Sequence, residues 1–339
     1  MLTKLLFLFL VVSGFLVAQL KTVSYWTSPT MSIERAEKLS RFSMVIADLD
    51  NAWNNLNSLL KIKELNPNLK LICYSNPMEI FDPLVKNRPR QNAWSTEIIN
   101  SYPNWLLKTL SGKKAVFFEG MRMLNLSADC PRINGQTYGE WMAKLLIKDV
   151  LSLKDEQGNL IWDGYFMDNC SPTISWVSPR DPLDVGKSSP ELIDRSWSEG
   201  NYKFLSIIRQ AMGRDFILIG NKGVTDYRDL LDGRMFEWFP NDYLGAELDG
   251  GWWQSMANAA QTGPYTIFLL QSKYIDFGIL SASLLDNVYV GVGNNSLRYY
   301  EQFNYNFDRP GKIKIIREFG KKVVIVSPSD KEAEIEEEE

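Results

Sequence analysis

The chain of 339 residues contains no histidine. That absence excludes Ser-His-Asp and Cys-His catalysis, and with them the His-rich zinc sites of many hydrolases. Any acid–base chemistry must come from carboxylates, Lys, Tyr or Cys. Cysteine is scarce, with three residues. Cys73 sits in an apolar run and reads as a buried thiol, whereas Cys130 and Cys170 fall in expected loops and are expected close enough to bridge, with Cα atoms within about 7 Å. Basic charge is not in excess either. Formal net charge is −4, but residues 329–339 hold seven acids against Lys331, a net of −6 that leaves the remainder at +2. A nearly neutral body offers no basic surface to a nucleic acid. No Gly-rich phosphate loop or dinucleotide fingerprint is present: Gly291-Val292-Gly293 lacks the third glycine and the helix that should follow. No cofactor and no metal is expected.

Long apolar runs are also missing, apart from one near the N-terminus. Residues 5–18 are uncharged, apolar but for Ser13 and Gly14, and follow Lys4. Fourteen residues are short of the about 20 that a membrane span needs, and fit the apolar core of a signal segment. We therefore expect residues 1–20 to direct export, with the mature chain secreted and not stably inserted in a membrane. An uncleaved anchor or a buried first helix is the alternative.

From residue 21 onward, short apolar runs alternate with helical patterns. Strands are expected at 22–26, 44–48, 70–75, 164–168, 217–221, 234–238, 266–271 and 288–292, and helices at 32–41, 55–65, 138–153, 191–212 and 251–260. Near-continuous apolar strands suit a parallel sheet covered by helices. Eight of them in alternation point to a (β/α)8 (TIM) barrel, α/β in class, over residues 21–300; a doubly wound open sheet is the alternative. Residues 76–137 and 171–190 are too long for simple connections and are expected as long loops at the C-terminal face, where barrel enzymes keep their active sites. Residues 301–328 read as a small β appendage, a hairpin turning at Gly320 and packed on the barrel. Residues 329–339 read as a disordered acidic tail.

Two stretches could carry chemistry. In Trp162-Asp163-Gly164-Tyr165-Phe166-Met167-Asp168-Asn169 the two aspartates lie about 17 Å apart along a strand, at its opposite ends. Asp163 marks the entry turn, a structural place. Asp168 marks the exit, where it is either catalytic or a cap for the following loop. In Met235-Phe236-Glu237-Trp238-Phe239 a glutamate stands among large apolar residues, which is costly for a charge unless paired or used. Glu237 is therefore either a general acid with a raised pKa or half of an ion pair with Lys222, Arg234 or Lys273. Two carboxylates from different strand ends facing one pocket are the machinery of glycoside hydrolysis. Trp26, Asp48, Tyr74, Asn169, Asn221, Trp238 and Gln271 fall at strand exits as candidate carbohydrate-binding residues, the rings by stacking and the others by hydrogen bonds. In the first long loop, Arg122 is expected to pair with Glu119 or Asp129.

The residues 163–169, Met123-Leu124-Asn125-Leu126, Gly220-Asn221, Phe236-Glu237, and Arg317-Glu318-Phe319 followed by Val323-Val324-Ile325-Val326 resemble hypothetical glycosyl hydrolase family 15, over about 21–328. More remotely, the strand-end aspartate is similar to the nucleophile position of melibiase-like barrels. The resemblance implies a (β/α)8 fold, a sugar substrate and Asp168 with Glu237 as the acid pair, with the melibiase-like position leaning toward retention. Lys222 follows Asn221 where glycine is expected. A non-catalytic carbohydrate-binding barrel at the cell surface would use the same cleft.

Overall fold

The computed structural model describes residues 18–240, 251–285, 288–304, 306–307, 315–319, 322–327 and 332–337. The signal segment expected at 1–20 lies, up to residue 17, outside the described residues. The chain divides into Lys21–Tyr299 and a second unit made of Met1–Leu20 with Tyr300–Glu339.

Lys21–Tyr299 is a closed barrel of eight parallel strands: β1 (Lys21–Trp26), β2 (Met44–Asp48), β3 (Lys70–Ser75), β4 (Gly164–Met167), β5 (Ile217–Asn221), β6 (Gly233–Phe239), β7 (Thr266–Leu270) and β8 (Val288–Val292), each beside its sequence neighbour, with β8 closing on β1. The helices α1 (Ile33–Leu39), α2 (Leu56–Leu65), α3 (Pro89–Ser101), α4 (Tyr138–Leu146), α5 (Pro190–Met212), α6 (Gly251–Ala259) and α7 (Ile275–Ser283) lie between strands. This is a (β/α)8 barrel. Between β5 and β6 a turn-rich connection stands in place of a helix.

Local signals start the helices. Ser32 caps α1 by accepting from Arg35 N, and Thr137 and Glu140 form a reciprocal capping box at α4. The expected helix over 138–153 stays α-helical only to Leu146 and then widens into a π turn, Ile147–Leu151. Three helices escape the sequence reading: the single turn Asn51–Asn54, α3 inside the first long loop, and α7, whose mostly apolar sequence carries little helical periodicity.

Side chains alternate across each strand. Val23 and Tyr25, Met44 and Ile46, Ile72, Phe166, Ile217 and Ile219, Met235, Ile267 and Leu269, and Tyr289 fill the barrel interior, with Tyr74 packed against them. Two residues beyond the last interior side chain of β2, β4, β5, β6 and β7 stand Asp48, Asp168, Asn221, Glu237 and Gln271. The period of two thus carries the inward face from an apolar plug to a polar layer at the C-terminal mouth.

The first long loop is ordered by a two-stranded antiparallel ribbon, Glu79–Phe81 with Met121–Met123, and by α3. Arg122 pairs with Asp82 at 3.5 Å, not with Glu119 or Asp129, because the ribbon register brings Phe81 opposite Met121 and so Asp82 alongside. Asp129 instead pairs with Lys187 at 3.0 Å. The expected bridge is absent, since Cys73, Cys130 and Cys170 are all free and buried. Each of the two loop thiols has its own neighbours: Cys130 Sγ accepts from Tyr138 N at 3.4 Å, and Cys170 packs against Gly220.

In the second unit, Ile315–Phe319, Lys322–Ser327 and Glu332–Glu337 form an antiparallel sheet in sequence order. The hairpin is as expected; its turn residue Gly320 lies outside the described residues. Glu332–Glu337, expected as part of a disordered tail, is instead the third strand. Its charge reads as disorder, but Glu332-Ala333-Glu334-Ile335-Glu336 alternates with the period of a strand, and that pattern prevails.

Candidate active site

Three consecutive strands end in the three residues that meet at the barrel mouth. Asp168 follows β4, Asn221 ends β5 and Glu237 lies near the end of β6. The side-chain nitrogen of Asn221 donates to Asp168 Oδ1 at 2.8 Å and to Glu237 Oε2 at 3.0 Å. The two oxygens that share this donor are therefore less than about 6 Å apart, and about 5 Å if the amide hydrogens diverge at their usual angle.

Asp168 accepts two further hydrogen bonds, from Tyr74 Oη at 2.6 Å and from Asn169 N at 2.8 Å. Three donors and an acceptor-only role are the pattern of a carboxylate anion. Glu237 has fewer partners and is largely shielded from water. Burial raises its carboxyl above the usual range, and the negative charge of Asp168 adds to this, while the Asn221 hydrogen bond and the Lys222 ammonium act in the other direction. Its environment favours the neutral acid. No ion pair with Arg234 or Lys273 is made: Arg234 is buried and donates to the carbonyl oxygens of Cys170, Asn221 and Asp226, and Lys273 lies over the Tyr274 ring.

The backbone changes direction at each of these three positions. Asn169, Lys222 and Trp238 immediately follow Asp168, Asn221 and Glu237, and have φ of 50°, 85° and 62°. Non-glycine residues rarely adopt such angles, and they concentrate at functional sites. Lys222 thus takes up the conformation that the expected glycine would adopt freely. At Trp238 the register between β6 and β7 slips: Leu269 pairs with Glu237 and Leu270 with Phe239. Trp238 is the extra residue of a bulge, which leaves Phe239 stacked on Phe268 with 4.0 Å between ring centroids and turns Trp238 out to solvent.

The remaining expected residues divide. Tyr74 and Asn169 touch Asp168 as described; the side-chain nitrogen of Asn169 is buried with no hydrogen-bond partner. Gln271 stands beside the bulge, donating to Trp238 O at 3.2 Å. Trp26 is not on the cleft. It has the outward parity of β1, is buried, donates to Thr30 O and lies 5.5 Å from the Arg35 guanidinium of α1. Asp48 faces inward but is fully buried and occupied by Arg88, Gln91 and the Asp50 backbone. Its oxygens hold the first long loop to the barrel.

Two residues belong near this site that sequence reasoning did not select. Tyr25 lies beneath the pair, its ring 5.8 Å from Tyr74; burial pushes its hydroxyl up, with a further push from the charge of Asp168. Glu79, buried on the loop ribbon, accepts from Phe118 N and Asn76 Nδ2, each at 3.0 Å. Burial raises its carboxyl, and the charge of Asp168 contributes. Parity along β1 identifies the first. The second obeys the same rule as Glu237, an acid among apolar neighbours.

A barrel with a carboxylate pair at the C-terminal ends of two nearby strands is the architecture of many carboxylate-dependent hydrolases. The chain belongs to hypothetical glycosyl hydrolase family 15, whose model matches residues 63–290. Among solved structures it is similar to the noncanonic maltogenic α-amylase AmyB of Thermotoga neapolitana, at 10% identity over 90% of this chain and 84% of that one, with a TM-score of 0.46. It is also similar to 2-naphthoyl-CoA reductase in complex with 2-naphthoyl-CoA, at 12% identity over 80% and 47%, with a TM-score of 0.43. A third is xylanase B of Clostridium stercorarium F9, at 14% identity over 81% and 86%, with a TM-score of 0.37. No curated protein matches the chain.

Proposed function

We propose that the protein is a retaining glycoside hydrolase in which Asp168 is the nucleophile and Glu237 the general acid and base. The observation that carries this reading is the donor that Asp168 and Glu237 share. An oxygen separation of about 5 Å suits retention, which uses about 5–5.5 Å; inversion needs about 6.5–9.5 Å to admit a water. In the first step an Asp168 oxygen attacks the anomeric carbon and the glycosidic C–O bond breaks. The departing oxygen takes the Glu237 proton, leaving a glycosyl ester on Asp168. In the second step ionised Glu237 removes a proton from water, the water oxygen attacks the same carbon and Asp168 departs as a carboxylate. Asn221 holds both partners, and Tyr74 stabilises the charge that returns to Asp168. Trp238, Asn169 and Gln271 would contact sugar bound above the pair.

Export is part of the proposal and rests on the apolar segment at 5–18. Among the described residues no helix is long and apolar enough to cross a membrane. A mature N-terminus between residues 15 and 21, found by sequencing protein recovered outside the cytoplasm, is the expected result; an intact Met1 would reassign the segment to an anchor.

The test of activity is a panel of polysaccharides and aryl glycosides followed by proton NMR, which reports the anomer first released. Retained configuration is expected, with Asp168→Asn and Glu237→Gln inactive but folded. Azide should restore turnover to Asp168→Gly and give a glycosyl azide of inverted configuration. A product of inverted configuration from the wild type would refute the assignment. Binding of glycans without hydrolysis would make the protein a carbohydrate-binding barrel.

A further inference from the structure

The second long loop carries an aromatic side chain that is both exposed and fixed. Trp176, in the 3-10 turn Ser175–Val177, is 44% exposed. Its turn is pinned from α5, where Asp194 accepts from Ile174 N at 2.7 Å, from Ser175 N at 2.8 Å and from Ser175 Oγ at 2.8 Å. The indole nitrogen donates to Thr173 O at 3.1 Å, which restricts rotation of the ring. From the other long loop, Phe117 meets Trp176 edge to face at 5.3 Å, and Phe118 meets Phe117 edge to face at 4.4 Å. Phe118 is itself 48% exposed. Two loops thus hold an aromatic cluster toward water, although this cluster does not serve the core.

Two links join this cluster to the carboxylate pair. Lys222, the residue after Asn221, has its ammonium 5.3 Å from the Trp176 ring centroid, and the same charge acts on Glu237. Glu79, whose carboxylate holds Phe118 N, is close enough to Asp168 to feel its charge. The platform is therefore continuous with the mouth of the barrel.

We propose that Trp176 is the stacking platform of a subsite that binds a second pyranose ring of the glycan, next to the one attached at Asp168, with Phe117 and Phe118 as its rim. A pyranose presents C–H groups on its face and hydroxyls at its edge. An indole flanked by an ammonium and backbone polar groups meets both. Pinning by Asp194 means that the ring loses little freedom when a sugar covers it. The proposal rests on the glycosidase reading of the carboxylate pair, and goes beyond it by assigning substrate length to the loops.

The test uses the full chain carrying Asp168→Asn, titrated by calorimetry with maltohexaose, xylohexaose, cellohexaose and chitohexaose. At least one should bind. Adding Trp176→Ala should weaken that binding by about tenfold or more, while Trp176→Phe keeps most of it. Unchanged thermal unfolding of the Ala variant, expected for a half-exposed side chain, separates lost stacking from lost fold. Binding that is indifferent to Trp176, or no binding by any of the four, overturns the proposal. Trp176-dependent binding alongside a wild type that hydrolyses nothing keeps the platform and removes the hydrolase reading. Hydrolysis with kcat/KM unaffected by Trp176→Ala does the reverse.

Discussion

Asp168 and Glu237 are joined through a single nitrogen, since the Asn221 amide donates to both at 2.8 and 3.0 Å. The arrangement sets their separation and moderates their repulsion together. Asn221→Ala should lower kcat by about 10²-fold, as loss of one well-placed donor does elsewhere. It also removes one of the two influences that hold the Glu237 carboxyl down, so burial and Asp168 act less opposed. The basic limb of the kcat/KM profile, which reports loss of the Glu237 proton, should move to higher pH. A limb that falls in place or moves down would show that Asn221 does not tune Glu237.

Glu237 should also leave a mark on stability. Its folded-state pKa is raised above the ordinary 4.5, mainly by burial. The folded state therefore binds this proton more tightly than the unfolded chain, and stability declines as pH rises from about 4.5 through the folded value. Glu237→Gln removes the penalty. Its melting temperature should exceed that of the wild type at pH 7.5, and the difference should close at pH 4. A constant offset across that range would mean that the carboxyl is not burdened by its surroundings.

The barrel strands are legible because each is a run of apolar residues bounded by turn signals, and four of the eight begin and end at the expected residue. Asp168, Asn221 and Glu237 are legible because they are polar residues that end such runs. Trp26 fails for the reason that Tyr25 was missed. A one-residue difference in parity sends a side chain to the other side of a strand, and only barrel closure decides which side is inside. Asp48 has the right parity, but Arg88, forty positions further on, claims it, and that contact belongs to tertiary structure. Trp176 and Glu79 sit in long loops without periodicity. The bulge at Trp238 depends on how β7 pairs, which no local pattern in β6 records.

The buried pair between Arg88 and Asp48 ties the first long loop to the barrel. Asp48 is fully buried, and burial raises its carboxyl against the opposing influence of Arg88. Removing the cation leaves a buried acid with only Gln91 and the Asp50 backbone as donors. Arg88→Met should therefore cost about 3–5 kcal/mol in chemical denaturation. Hydrogen exchange should quicken first in α3, which begins at the next residue. A loss below about 1 kcal/mol would place this pair with the inconsequential surface ion pairs.

Gly164 opens β4 four residues before Asp168, and its lack of a side chain is a matter of space. A Cβ at this position would lie 2.3 Å from the Ile217 carbonyl oxygen, 2.7 Å from Ile217 Cβ and 2.9 Å from Ile72 Cδ1. The first of these is backbone of β5, fixed by the ladder in which Gly164 pairs with Ile217. It cannot turn away as a flexible side-chain tip would. Gly164→Ala must therefore push β4 and β5 apart or tilt them, and overpacking of this kind costs about 1–3 kcal/mol. Asp168 follows β4 directly and Asn221 ends β5, so the same displacement reaches the mouth by lengthening the bond between them. The variant should melt lower and, while still folded at 25 °C, should lose more in kcat than in KM, because the carboxylate pair is disturbed and the sugar-binding loops are not. Gly213→Ala supplies the contrast. No atom lies within 4 Å of a Cβ there, and its φ of 81° makes the cost one of backbone strain at the end of α5, far from the pair in sequence. It should lower the melting temperature without changing kcat. Equal kcat in the two variants would show that the spacing of β4 and β5 does not govern the site.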